Sequence, residues 1–426
     1  MPQIDGLTAR DVGLLGHETL PPPDPPAASD DAAALQQQYD LQVGLSTSPM
    51  VFGNQVKLLP SGAEALRAIF KAVAGARNSV NLEYFVLSDV RSDGVALSTL
   101  LLGRLAAGVM VNVIYDSYGS QDTPGAFFDT LRKAGAKVVA FNPVNPFLVR
   151  VGWSPNDRDH RKTAVIDGRI GFTGGVNLDT VYENPPSAGV AGGDAEKAYW
   201  RDTALRIEGP AVAELQKLFF ETWGAQKGPV VGQADYFPEL PRVGVQTIRI
   251  IGSSPADRQP LYYASLMTAM QSARRRVWLC SGYFVPPRQE RQALRRIARR
   301  GLDVRIVTPA FSDVQSAVYA ARAVYGGLLE AGVHIYEIRD AVVHAKLAVV
   351  DDTWAVVGSS NLDRRSVVFN NEVDAVVVGH DAAGQVEAVM RGYMDSGREV
   401  DLGRWRRRSV EERLREVEAG VWQYWM

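Results

Sequence analysis

The chain has 426 residues, with 46 Lys+Arg against 48 Asp+Glu, a formal net charge of -2, 46% hydrophobic and 22% charged residues. These values exclude collagen-like, coiled-coil and wholly disordered chains. The near-zero charge also argues against a nucleic-acid partner, whose electrostatic footprint is strongly basic. At roughly 150 residues per domain, the length predicts two or three domains, each with a sizeable core. Nine of the 46 cations are lysine, and there are five histidines: His17, His160, His334, His344 and His380. A pattern that recruits such scarce residues repeatedly is therefore informative.

Residues 1–50 read as an extended arm. Pro21-Pro22-Pro23-Asp24-Pro25-Pro26 can continue neither a helix nor a central strand, and the Ala/Ser/Asp/Gln segment after it holds few large apolar residues. The N-terminus lacks the basic-then-apolar pattern of a signal peptide, and no apolar run reaches the ~18 residues of a membrane span. From Asn54 the pattern becomes α/β. Ser61 with Glu64 marks a capping box, followed by Leu66, Ile69, Phe70 and Val73 at helical spacing. Strands are predicted over Val80–Leu87, Val109–Tyr115 and Lys137–Phe141, with helices over Val95–Ala107 and Phe127–Ala134.

The second half repeats this order. Val277–Val285 echoes Val80–Val86, with Tyr283-Phe284 answering Tyr84-Phe85. Gly301–Val307 echoes Gly108–Ile114, and Leu329–Ile335 echoes Arg132–Val138. The period is far longer than a solenoid repeat. The expectation is an α/β fold of two similar domains with pseudo-twofold symmetry and mixed sheets flanked by helices, spanning 51–235 and 236–400. The boundary falls in the Pro/Gly-containing stretch Gly228–Gln246, and a basic and aromatic tail follows at 401–426. The one cysteine, Cys280, lies in an apolar strand-like run and reads as a buried thiol. His334, in another apolar strand, reads as a packed histidine.

The chemistry is carried by a doubled constellation. One copy reads His160-x-Lys162, Asp167, Gly174-Gly175-x-Asn177. The other reads His344-x-Lys346, Asp351, Gly358-Ser359-x-Asn361. Residues i and i+2 of a strand share a face, so each His/Lys pair projects together. Asp167-Gly168 and Asp351-Asp352 are turn signals. Each copy is thus a predicted hairpin whose small-residue return loop brings Asn and close backbone N–H groups back to the His/Lys end. Two imidazoles, two ammonium groups and two amides gathered at one point suit an anionic tetrahedral phosphate. Asp167 and Asp351 read as structural turn residues. No His/Asp/Glu cluster has metal-ligand spacing, so neither metal nor cofactor is expected.

The paired motif resembles the phospholipase D superfamily from about Asn54 to Glu399, and more narrowly the bacterial cardiolipin synthases. Supporting segments are Asn54–Leu59, Glu83-Tyr84-Phe85, Trp200-Arg201-Asp202, Ile207–Val212, Gly282–Pro286, Leu328–Tyr336 and Asn370-Asn371-Glu372. The resemblance implies phosphatidyl transfer through a phosphohistidine, with phosphatidylglycerol or a related phospholipid as donor and a second phospholipid head group as acceptor. It assigns His160 as nucleophile and His344 as general acid/base. Lys162, Lys346, Asn177 and Asn361 would hold phosphate oxygens, with Gly175, Ser359, Tyr84 and Tyr283 on the substrate. Glu372 and Asp202 would orient the histidines.

The rival readings are a hydrolytic phospholipase D, a nuclease and a non-catalytic membrane-binding module. Many cardiolipin synthases begin with transmembrane helices and none is read in this sequence, so membrane contact is expected to be either peripheral or made through an anchor outside it. Arg291, Arg295 and Arg299 share a helical face and read as solvated. The tail Trp405–Arg408 with Val421–Trp425 either rests on an anionic membrane or packs on the domain. Tyr182–Ala198 reads as a surface loop.

Overall fold

The computed structural model describes residues 30–43, 48–143, 154, 156–183, 198–255, 257 and 260–422. Among these, 16 strands form one large sheet. The first half supplies β1 (Val51–Leu59), β2 (Ser79–Tyr84), β3 (Met110–Asp116), β4 (Lys137–Phe141), β5 (Arg158–Asp159), β6 (Lys162–Ile166), β7 (Ile170–Gly174) and β8 (Ala204–Glu208). The second supplies β9 (Gln246–Ser253), β10 (Arg276–Cys280), β11 (Asp303–Pro309), β12 (His334–Ile338), β13 (Lys346–Val350), β14 (Trp354–Gly358), β15 (Asn370–Val378) and β16 (Arg398–Glu399).

The strand order is β16-β12-β11-β10-β13-β14-β15-β9-β1-β8-β7-β6-β2-β3-β4, with β5 lying against β15. Read outward from the central β1–β9 pair, each half has the same succession. β1, β8, β7, β6, β2, β3 and β4 match β9, β15, β14, β13, β10, β11 and β12. The sequence repeat is therefore a structural repeat about a pseudo-twofold axis through the seam. One apolar core underlies that seam: Val56, Leu58, Val165, Leu205 and Ile207 of the first half pack with Ile248, Ile250, Leu347, Val373 and Ala375 of the second. Full burial of each such side chain stabilises by roughly 1.5–3 kcal/mol, so the halves are held in fixed register. Residues 226–245 connect them with no helix or strand.

Both predicted hairpins form, β6–β7 and β13–β14. Their turns carry positive φ at Asp167 (54°) and Gly168 (64°), and at Asp351 (51°) and Asp352 (62°), the signature of type I′ turns. The Asp167 carboxylate accepts from the backbone N–H groups of Arg77, Asn78 and Ser79. Asp351 does the same for Arg274, Arg275 and Arg276. Each motif aspartate thus pins the start of the neighbouring strand, β2 or β10. The strands of the motif, β6 and β13, are buried on both faces, which explains their continuous apolar runs.

The capping box forms as well: the Ser61 hydroxyl accepts from the Glu64 N–H, and Leu66, Ile69, Phe70 and Val73 are buried. Three expectations change. Within the expected extended arm, Asp30–Val43 is a helix packed on the helix Leu261–Ser272. It docks through Tyr39 and two buried glutamines, with Gln38 donating to Ser272 (2.8 Å) and Gln42 accepting from Ser265 (2.6 Å). Polar anchoring of this kind leaves no apolar period to read. Residues 1–29 lie outside the described residues. His334 is exposed, not packed, and its ring sits 2.6 Å from Glu399 of β16. Arg291 and Arg295 are half-buried. In the tail, Trp405 packs on Tyr325, with ring centroids 5.2 Å apart, and residues 402–406 and 410–422 are helical.

Candidate active site

Just before each motif histidine the chain crosses to the other half. Strand β5 runs parallel to Asn370-Asn371, and the His160 N–H donates to the Asn371 carbonyl (2.9 Å). In the second half Val342–Val343 runs parallel to Trp200–Arg201, and the His344 N–H donates to the Arg201 carbonyl (2.9 Å). The next residues along those partner strands are Glu372 and Asp202. Each imidazole therefore meets the carboxylate of the opposite half: His160 Nδ1 lies 2.9 Å from Glu372 Oε2, and His344 Nδ1 lies 2.7 Å from Asp202 Oδ2. An Nδ1–H held on a carboxylate leaves Nε2 with its lone pair exposed to chemistry. The two ring centroids are 6.4 Å apart. The site is shared, and neither half contains a complete histidine–carboxylate pair.

Both motif lysines are buried beside their own histidines. Lys162 Nζ donates to its own His160 carbonyl (2.6 Å), and Lys346 Nζ to the His344 carbonyl. Burial pushes Lys162 down to about 7, against the pull of Glu372, and lowers Lys346 as well. Burial, then the two ammonium groups, holds His160 well below the usual imidazole range. His344 is lowered by burial and Lys346, but Asp202 opposes the shift. The carboxylates also differ. Burial alone would raise Asp202, yet the hydrogen bond and charge of His344 outweigh it and leave Asp202 lowered. Burial takes Glu372 up to about 7, with Lys162 opposing. The Phe85 ring walls the first side, with its centroid 5.0 Å from the His160 ring and 5.2 Å from Lys162 Nζ.

Asn177 and Asn361 occupy equivalent places. The Asn177 Oδ1 accepts from the Val86 N–H (3.2 Å), and the Asn361 Oδ1 from the Tyr283 N–H (3.4 Å). This ties each motif loop to the end of β2 or β10. It also shows that Tyr283 corresponds in space to Val86, so the apparent echo of Tyr84 in Tyr283 is slipped by two positions. Tyr84 is the cross-strand neighbour of Lys162 but is 1% exposed within the core of the first half. It packs beneath the site and offers substrate no surface. Tyr283 is at the rim, its ring 6.0 Å from His344 and its hydroxyl bonded to Asp313 (3.0 Å).

Gly175 and Ser359 take different roles from those expected. Their N–H groups are engaged by the Thr203 and Val373 carbonyls (2.9 and 3.0 Å), so neither faces a ligand. A Cβ at Gly175 would collide with the Asp202 carboxylate. Ser359 is fully buried and donates its hydroxyl to Glu372 Oε2 (2.6 Å). Both positions hold the orienting carboxylates. Gly175→Ala is therefore expected to displace Asp202, costing about 1–3 kcal/mol of stability through overpacking and about 10²-fold in turnover through misplacement of His344. Thermal unfolding and kcat measured together check both effects.

Several residues that contact the candidate site were not read from the sequence. Tyr182 is fully buried, donates to Asp202 (3.1 Å) and lies 3.4 Å from His344 Nδ1. It belongs to the segment expected to be a surface loop, whose residues 184–197 lie outside the described residues. Asn370 donates to Glu372 (3.0 Å). On the first side only, Arg161 links the halves: it donates to the Glu372 carbonyl (3.1 Å), the Ser253 carbonyl (3.3 Å) and Thr222 Oγ1 (2.8 Å), and lies 3.7 Å from Glu83. The signal for Arg161 was present, since the matching motif position is Ala345. No group of His, Cys, Asp and Glu suited to a metal ion occurs among the described residues.

Residues 266–394, spanning most of the second repeat, match a family described as "Cardiolipin synthase, PLD-like domain". The fold resembles a phosphatidylserine synthase from Haemophilus influenzae Rd KW20, with a TM-score of 0.64 at 14% identity, covering 85% of this chain and 92% of that one. A polyphosphate kinase from Porphyromonas gingivalis aligns with a TM-score of 0.51 at 12% identity, over 79% of this chain and 46% of that one. In sequence, "Cardiolipin synthase A" of Pseudomonas entomophila is 36% identical over 363 residues, 84% of this chain and 72% of the relative. "Cardiolipin synthase" of Geobacillus sp. is 33% identical over 375 residues, 87% of this chain and 72% of the relative. Identity at this level over both repeats, and not over one hairpin motif alone, means that the chain belongs to the cardiolipin synthase family of the phospholipase D superfamily.

Proposed function

We propose that the protein moves a phosphatidyl group from one phospholipid to a hydroxyl of a second, through a phosphohistidine. The observation that carries this reading is the pair of imidazoles 6.4 Å apart, each with Nδ1 on the opposite half's carboxylate. Displacement at phosphorus needs a nucleophile on one face and a proton donor at the departing oxygen on the other, and this arrangement supplies both.

His160 Nε2 attacks phosphorus, an N–P bond forms, and the P–O bond to the departing glycerol breaks. His344 gives its proton to the leaving alkoxide. Neutral His344 then takes the proton of the incoming hydroxyl, whose oxygen attacks phosphorus and releases His160. The roles follow from the electrostatics. Burial and two ammonium groups keep His160 unprotonated, as a nucleophile must be, while ionised Asp202 helps His344 keep a proton to give. Lys162, Lys346, Asn177 and Asn361 neutralise and orient the phosphate oxygens in a buried site, where fixed donors act most strongly. The substrates sit in bilayers, and no helix among the described residues is long and apolar enough to cross one. Contact with the lipid surface through the folded body is part of the proposal.

Product analysis tests the reading. Incubated with phosphatidylglycerol, the protein is expected to release glycerol and form a four-chain diphosphatidyl lipid, detected by mass spectrometry. Phosphatidic acid as the sole product would replace transfer with hydrolysis.

A further inference from the structure

The helix Val410–Trp422 packs along the helix Gln315–Leu329. On its inner face Glu416 and Ala419 are buried, Glu416 is bonded to Arg408 (2.7 Å), and Arg415 donates to the Tyr319 hydroxyl (3.0 Å). The opposite face carries Val410, Leu414 and Val417, which are 72%, 64% and 68% exposed. At about 100° per residue these three fall within an arc of about 60°, pointing away from the body. A continuous apolar stripe left in water on an otherwise packed helix marks a contact surface.

Its surroundings are of mixed charge and include arginines that can meet phosphate. Glu411 is engaged by Arg415 (2.6 Å) and Glu412 by Ser409 (2.8 Å). Arg404, Arg407 and Arg413 have no carboxylate partner among the described residues, while Glu412 and Glu418 on this helix have no cationic partner among them. Beside it opens a cavity of about 220 Å³ lined by five arginines and five carboxylates, of which Arg339, Arg398 and Arg404 have no ion-pair partner among the described residues. The sequence carries the apolar 4-3 spacing on to Val421 and continues with Trp422, Tyr424 and Trp425, residue types suited to a lipid–water interface.

The position relative to the site completes the argument. Ala419 clusters with Val285 and Ala320. Val285 lies two residues beyond Tyr283, whose ring is 6.0 Å from His344. Asp313, which holds the Tyr283 hydroxyl, is followed by Val314, 38% exposed at the start of the helix Gln315–Leu329. The exposed stripe thus lies on a helix whose far end reaches the rim of the active site. We propose that the helix Val410–Trp422 docks this protein on a phospholipid bilayer, its apolar stripe entering the interface and the unpaired arginines meeting lipid phosphates. The choice of a bilayer as the occupant rests on the phosphatidyl-transfer reading.

Flotation with vesicles of phosphatidylcholine containing phosphatidylglycerol tests the proposal. Leu414→Asp/Val417→Asp, both at exposed positions, is expected to weaken vesicle binding by about tenfold or more. Turnover of vesicle lipid should fall with it, while turnover of a short-chain, monomeric phosphatidyl donor stays unchanged. Leu414→Trp, a milder change, should shift its fluorescence to the blue when vesicles are added. Wild-type binding by the double variant, or no shift for Leu414→Trp, overturns the proposal. So does loss of a dimer in light scattering with vesicle binding intact, which would make the stripe a surface for a second copy of the chain. Stripe-dependent binding by a wild-type protein that turns over no lipid leaves the docking surface standing and removes the transfer reading.

Discussion

Replacing His160 by alanine is expected to lower phosphatidyl transfer by about 10⁴-fold or more, because it removes the nucleophile that forms the covalent intermediate while His344 serves as the acid and base. Replacing His344 by alanine should be as damaging with a natural donor, whose glyceroxide needs a proton to leave. The two variants separate when the leaving group needs none. With a p-nitrophenyl phosphatidyl ester, His344→Ala should release one equivalent of nitrophenol in a burst and then stall with the phosphatidyl group bound to His160. His160→Ala should show no burst. Stopped-flow absorbance and intact-protein mass spectrometry read these outcomes, and a burst in His160→Ala alone would exchange the two assignments. The double variant should be little worse than either single one, since residues that act as a unit do not add.

The second large effect comes from the crossed carboxylates. Asp202→Asn preserves size but removes the charge that holds His344, and can leave the wrong nitrogen protonated. A loss of about 10²–10⁴-fold is expected. Glu372→Gln should cost about 10²-fold for the same reason on the His160 side. The two differ in pH dependence. Glu372 titrates near about 7. As pH falls through that value its carboxylate protonates, His160 loses its acceptor, and turnover should decline. Lys162 also lies near about 7, so rising pH strips its charge and weakens phosphate anchoring. A bell-shaped profile of kcat/KM is therefore expected. Glu372→Gln should flatten its acid limb and keep the alkaline one. Asp202, held lower by His344, should leave the acid limb in place when replaced by Asn.

Much of the site was legible because its chemistry is local in sequence. The His-x-Lys step, the turn aspartate and the returning asparagine all belong to one hairpin, and hairpin geometry follows from period-two alternation and turn residues. The roles of Asp167 and Asp351 were readable for the same reason. Misreadings occurred where two segments distant in sequence compete for the same space. Gly175 was read as a phosphate cradle, whereas it is small to make room for Asp202, 27 positions later. Ser359 spends its hydroxyl on Glu372. Tyr182 sat in an unpatterned stretch, with nothing nearby in sequence to show that it would meet Asp202 and His344. The helix Asp30–Val43 was missed because glutamines, not an apolar stripe, dock it.

The sequence by itself determined the two-fold repeat, the hairpins and the His, Lys and Asn positions of the doubled motif, since each is written in spacing within a short segment, whereas Asp202 and Glu372 came from the family resemblance. Only the tertiary structure decided which carboxylate serves which histidine. The two short parallel pairings that carry His160 to Asn371 and His344 to Arg201 join residues 211 and 143 positions apart. Such contacts depend on the packing of one half against the other across the β1–β9 seam, and no local period records them.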